Sequence, residues 1–168
     1  SSTPRILRNA RGSRPCVRGS RLASAGCMGE LHDPLTERII ACAIEVHRMT
    51  GPGLLESVYD VCLAYELELA GLDFQRQKNI SFAYKGLSAQ AAFRVDLVVE
   101  STVLVELKCV ESIQPVHKAQ VLTYLRLSGL ATGLLINFNV PVLRDGIRRL
   151  IWTHNPKAAL TSAPPGLP

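Results

Sequence analysis

Apolar positions change their period several times along this chain, and each change marks an element. Asp33-Pro34 reads as an N-cap followed by proline at the first helical position, and Ile39, Ala43 and Val46 then form one stripe of a helix through about residue 49. Gly51-Pro52-Gly53 ends it. A second helix is expected over residues 54–70, with Leu55, Val58, Cys62, Tyr65 and Leu69 at helical spacing and turned to the core, and Gly71 closing it. The period then shortens to two. Strands are expected at 79–84, 92–99 and 103–110, followed by a helix at 115–127 and a strand of the buried kind at 133–138. Residues 148–152 are a candidate edge strand, and no internal repeat is present.

Composition fits one domain. The 168 residues, 47% hydrophobic and 20% charged, can bury a core that folds unaided. No apolar run approaches the roughly 20 residues of a membrane helix, so a soluble, cytoplasmic protein without a membrane partner is expected. The net charge of +5 points to nucleic acid only until it is located. Residues 1–27 hold Arg5, Arg8, Arg11, Arg14, Arg18 and Arg21 and no acid, which leaves 13 basic against 14 acidic side chains for the remainder. Net basicity is therefore no evidence that the domain binds nucleic acid.

The extension 1–27 lacks an apolar pattern and is expected to be disordered. Its composition fits an organellar transit peptide, or an extension that is not native if translation begins at Met28; the second is the preferred expectation. Residues 28–154 form the domain, and 155–168 a flexible proline-rich tail. Cys16, Cys27, Cys42, Cys62 and Cys109 form no CxxC pair and no metal-type cluster, so reduced thiols are expected, with Cys42, Cys62 and Cys109 on apolar faces as small hydrophobes in preference to a catalytic thiol.

Charge is out of place in FRVDLVVESTVLVELKCVE, residues 93–111. Alternation puts Phe93, Val95, Leu97 and Val99 on one face and Arg94, Asp96 and Val98 on the other, while Leu104, Glu106 and Lys108 share a face of the next strand. A hairpin paired about Ser101, with an odd number of turn residues, sets Asp96 across from Glu106 and Arg94 across from Lys108. Facing carboxylates need a positive charge between them. Arg94 and Lys108 supply it in one reading, as a structural ion-pair cluster; a divalent cation supplies it in the other. Glu56 falls in the first turn of the second helix, and His117, Gln120 and Tyr124 share one face of the helix after the charged strand, so two helices bring polar groups toward one pocket.

Gly53-Leu54-Leu55-Glu56-Ser57-Val58-Tyr59 resembles the GxxExxY signature, and Asp96 with Glu106-Leu107-Lys108 resembles the D…ExK core of the PD-(D/E)XK nuclease superfamily. The similarity runs over residues 35–150, and Gln120 to Tyr124 resembles the Q-x-x-x-Y motif of the RecB-like branch. Lys118 departs from it, standing where an acid is expected. The resemblance implies an α/β fold of the restriction-endonuclease type, a mixed β-sheet flanked by helices in the order α-α-β-β-β-α-β. It implies hydrolysis of phosphodiester bonds in nucleic acid, DNA first, in repair, restriction or defence, by a monomer or homodimer. Asp96, Glu106 and Glu56 would hold Mg²⁺, with Mn²⁺ able to replace it. Lys108 would orient water or stabilise the phosphorus, and Gln120 would hold the metal's water or the backbone.

Each assignment has a plainer counterpart. Glu56 favours a helix N-terminus through the dipole alone. Tyr124 and Tyr59 suit packing with a polar tip. His117 and His47 serve as base or substrate contact, or as hydrogen-bonded structural histidines, and Arg94 either grips phosphate or balances Asp96. A binding or assembly module on the same fold, and a metal-dependent hydrolase of another phosphorylated substrate, stand as the alternative functions.

Overall fold

The computed structural model describes residues 33–153. Residues 1–27, the tail 155–168 and both Cys16 and Cys27 lie outside the described residues. Helix α1 (Pro34–Thr50) begins as its sequence dictates, with the Asp33 carboxylate accepting the Leu35 N–H at 3.1 Å and proline at the first position. Ile39, Ala43 and Val46 are buried. Gly51 and Gly53 take φ of 67° and 99°, a region closed to most side chains, and the chain turns there.

Helix α2 (Glu56–Leu69) corrects the expected orientation. Its buried side is Tyr59, Asp60, Leu63, Ala64 and Leu67, while Leu55, Val58, Tyr65 and Leu69 are exposed and Cys62 is half-buried. The helix is apolar on two sides, and periodicity alone does not say which one faces inward.

Five strands follow as one mixed sheet in the order β1-β2-β3-β4-β5. Strands β1 (Phe74–Tyr84) and β2 (Leu87–Val99) are antiparallel and longer than their apolar pattern, because β1 is an edge strand whose first residues, FQRQK, lie largely open. Strand β3 (Val103–Lys108) pairs antiparallel with β2 through Leu97↔Val105, Val98↔Leu104 and Val99↔Val103. That is the register about Ser101, with the three turn residues Glu100, Ser101 and Thr102. Helix α3 (Pro115–Ser128) crosses over to β4 (Thr132–Asn137), which is parallel to β3. A short helix α4 (Leu143–Gly146), absent from the expected elements, precedes the edge strand β5 (Ile147–Ile151).

Each face of the sheet is covered. Leu97, Val99, Val103, Val105 and Leu107 pack beneath α1 and α2, and Val98, Leu104 and Leu135 beneath Val121, Tyr124 and Leu125 of α3. Strict alternation fails at one rung. Phe93 and Val95 belong with Val98 on the α3 side, not with Leu97 and Val99, so β2 exchanges faces at Asp96. β1 does the same: Phe74 packs toward α1 and α2 and Ile80 toward α3, although six residues of alternation would keep them together. Between them Gln77 has a left-handed φ of 53°. Arg76↔Leu97 and Lys78↔Val95 are paired while Gln77 and Asp96, opposite each other, are not. One unpaired rung thus twists both strands and re-aims their side chains.

Candidate active site

The loop before α2 hangs on one phenol. Tyr59, fully buried and stacked on Phe138 at 4.3 Å, donates its hydroxyl to the Gly51 carbonyl at 2.6 Å and accepts the Leu54 N–H at 3.2 Å. This fixes Glu56 at the first turn of α2, where the inward side of the helix approaches the sheet. At the far end of β3, the Asn137 amide bonds both the N–H and the carbonyl of Val110, at 3.0 and 2.7 Å, and so holds the chain just past Lys108.

Between these anchors β2 and β3 part. Their ladder stops at Leu97–Val105, and the Leu107 N–H, left without a backbone partner on β2, donates to Oδ2 of Asp96 at 2.8 Å. Asp96 and Glu106 therefore meet where the strands separate, not on a shared face of a regular ladder, as strand alternation had led one to expect. Glu106 is 3% exposed. Lys108 Nζ holds its Oε1 at 2.7 Å, and its Oε2 is buried without a hydrogen-bond partner.

The electrostatics record a crowd of acids. Burial, then the charge of Asp96, pushes the Glu106 carboxyl up to about 7 against the pull of Lys108, with Glu56 adding to the rise. Asp96 is raised by burial in spite of the Leu107 N–H and Lys108; Glu56, though exposed at its surface, is raised by partial desolvation against the sheet in spite of Lys108, with Asp96 and Asp60 adding to it. Burial alone would lower Lys108, yet its bond to Glu106 and the charges of Glu106, Glu56 and Asp96 hold it above its ordinary value. One ammonium thus serves three carboxyls.

Asp60 was not foreseen. It lies one turn beyond Glu56, is buried, gives Oδ2 to Arg76, and keeps Oδ1 without a partner. Its place at i+4 from Glu56 was the signal available in the sequence. Asp60, Arg76, Gln77 and Arg94 line a cleft of about 400 Å³ together with Glu56 and Asp96. Arg94 favours the ionised Asp96 there, the least of the influences upon it.

The other expected residues have hydrogen-bond partners of their own. Gln120 donates to the Tyr124 hydroxyl at 2.7 Å, and the Tyr124 ring lies 5.7 Å from Phe93, so these two are joined to each other within the α3 side of the core. His117 accepts the Gln114 N–H at 3.1 Å and closes the capping box of α3, while its charge weakly favours an ionised Glu56. His47 is bonded to the Val140 carbonyl at 2.8 Å and packs against Phe138. Lys118 is exposed. Burial pushes the Cys109 thiol up to about 11 and raises Cys42, as small hydrophobic roles require.

Among the described residues no three His, Cys, Asp or Glu side chains are gathered as a ready cage for a cation. The donor set still fits a hard divalent ion, because the bare Oε2 of Glu106 is a buried carboxylate oxygen with nothing to satisfy it. Among the described residues no helix is long and apolar enough to cross a membrane.

No curated protein sequence matches the chain. Among solved structures, the crystal structure of SSO0001 aligns with 60% of this chain at 16% identity and a TM-score of 0.44. The alignment spans about half of that protein, 52%. Residues 33–150, most of the chain and all of the cluster just described, match the model of one protein family, and the chain belongs to the PD-(D/E)XK nuclease superfamily.

Proposed function

We propose that this chain is a metal-dependent nuclease of the GxxExxY kind, hydrolysing phosphodiester bonds of nucleic acid, DNA in the first place. The observation that carries the proposal is the half-satisfied Glu106: an ion pair built only for stability would leave no buried carboxylate oxygen bare beside a second acid. Asp96 and Glu106 would hold Mg²⁺ or Mn²⁺, with Glu56 turning in from its exposed position as a further ligand. A bound divalent ion acidifies water and neutralises charge on the phosphate.

The chain's own residues do the rest. Lys108, beside Glu106 at 2.7 Å, would donate to the attacking water or to a phosphate oxygen. Asp96, bound to Leu107, is held in one orientation, and Arg94 at the mouth of the cleft contacts the nucleic-acid backbone. Gln120 and Tyr124 stiffen the neighbouring wall, where His117 is within electrostatic reach of Glu56. His47 supports the fold beneath.

The described residues carry 12 basic and 13 acidic side chains, without a basic stripe, which favours a smaller phosphorylated substrate as the second reading. A panel of single-stranded, double-stranded and branched DNA, RNA and simple phosphodiesters, with Mg²⁺, Mn²⁺ or EDTA, tests both. Cleavage of nucleic acid in Mg²⁺ that disappears in EDTA and in Lys108→Ala is expected. Turnover confined to small phosphodiesters supports the second reading, and no turnover of any kind overturns both.

A further inference from the structure

Helix α2 has two apolar sides and the fold uses one. Leu55, Val58, Val61, Tyr65 and Leu69 face solvent, from 40% exposed at Val58 to 74% at Leu55. They run the full length of the helix and make a patch on the order of 500 Å², as large as the largest on an ordinary monomer. The ends of α2 are unequal: Glu56 in the first turn suits the dipole, and Arg38 of α1 donates to the Ala70 carbonyl at 2.6 Å beyond an acidic last turn. Its first turn has no side-chain cap, and its last turn holds Glu66 and Glu68 with no basic residue.

We propose that a second copy of this chain covers the stripe, its α2 lying antiparallel to the first across a twofold axis. In that arrangement Leu55 meets Leu69 of the other copy and the apolar stripes of both are buried, while Glu56 of the first turn stays on the far side of its helix, away from the acidic last turn of its neighbour. At about 100° per residue Glu66 and Glu68 fall on opposite flanks of the stripe, so the two copies do not bring acids together at its centre. Two such patches bury on the order of 1,000 Å², which reaches the lower limit for a specific interface, and the contact is isologous, as a twofold dimer requires. A different partner, apolar with a basic margin, would suit Glu66 and Glu68 but not the self-complementary placing of Leu55 and Leu69.

Cys62 stands midway between Leu55 and Leu69 and is half-buried, so it lies at the proposed axis. Helices in contact run about 8–10 Å apart, within reach of a short bismaleimide, which links two thiols by addition. The test uses the full chain with Cys16→Ser and Cys27→Ser, by light scattering from low to high micromolar concentration and by cross-linking, and it is independent of any nuclease activity. A dimer is expected, cross-linked in the parent and not in Cys62→Ala, and Tyr65→Lys with Leu69→Lys should raise its dissociation constant at least about tenfold without lowering the melting temperature of the monomer. A monomer at every concentration overturns the proposal. So does a dimer that lacks the Cys62 cross-link, or one that the two lysines leave intact. If the lysine variant fails to fold, the cross-link and its loss in Cys62→Ala decide alone.

Discussion

Lys108 holds one oxygen of Glu106 at 2.7 Å and leaves the other, equally buried, with no partner. A lysine and a glutamate two apart on a strand are close by geometry alone. What distinguishes this pair is its burial, to which Asp96 and then Glu56 add their charge, so that ionising Glu106 costs the fold more than Lys108 returns.

The sign of that cost fixes a pH dependence. A carboxyl raised from 4.5 to about 7 binds its proton more tightly in the folded chain. The stability this gives is complete below the unfolded value and is lost as pH rises through the folded one; Asp96 and Glu56, also raised, act in the same sense. In EDTA, Glu106→Gln is therefore expected to match the parent near pH 5 and to melt higher at pH 8, by a few kcal/mol at most. Mg²⁺ should raise the melting temperature of the parent and not of the variant. Calorimetry at the two pH values decides it: a variant less stable at pH 8, beside a parent indifferent to Mg²⁺, returns the cluster to a structural ion pair.

Asp96 has two duties that substitution separates. Asparagine keeps an oxygen to accept the Leu107 N–H, whereas alanine leaves that donor bare. Asp96→Asn should melt within about 1 kcal/mol of the parent, and Asp96→Ala about 1–3 kcal/mol lower. Both should lose hydrolysis. Equal melting temperatures for the two would show that the Leu107 bond contributes nothing.

Gln77 sits at φ 53° in the middle of a strand. A left-handed residue with a Cβ costs about 1–2 kcal/mol, part of which glycine recovers against its own chain entropy. Gln77→Gly is expected to stabilise the protein by roughly 0.5–1 kcal/mol, and Gln77→Val to destabilise it by at least as much. Denaturant titration of the pair, with opposite shifts in midpoint, is the check.

Thiol chemistry gives a fourth outcome. With Cys109 pushed up to about 11 and Cys42 raised and buried, neither offers thiolate at neutral pH. Brief iodoacetamide treatment at pH 7.5 should leave hydrolysis unchanged. Inactivation that Cys109→Ala abolishes would place a nucleophile where none has been assigned.

Much of this was legible in the chain. Asp33-Pro34 set the first helix, the period of two set β3, and the even pairing about Ser101 holds in the hairpin. Three things were hidden, each for a physical reason. The inward side of α2 could not be chosen because Tyr59, Leu63 and Leu67 repeat as regularly as Leu55, Val58 and Tyr65. Asp60 reads as one more surface acid until Arg76 arrives from a distant strand to pair with it. The turn of both strands at Gln77 and Asp96 has no sequence signal, since glutamine is not a residue that seeks positive φ.

That shared rung has a consequence for how the protein can change. The cleft owes its lining to the position at which β1 and β2 reverse, so it is addressed by counting residues and not by their identity. Beyond Ile80 the pairing already slips before Phe82, and the turn at Lys85 and Gly86 can lengthen or shorten at no cost to Arg76, Arg94 or Asp96. A single residue inserted between Gln77 and Ile80 would instead turn Arg76 and Asp96 toward opposite sides of the sheet. Natural variation in length should therefore collect at the tip of this hairpin and be absent from its base, whatever substitutions the base accepts.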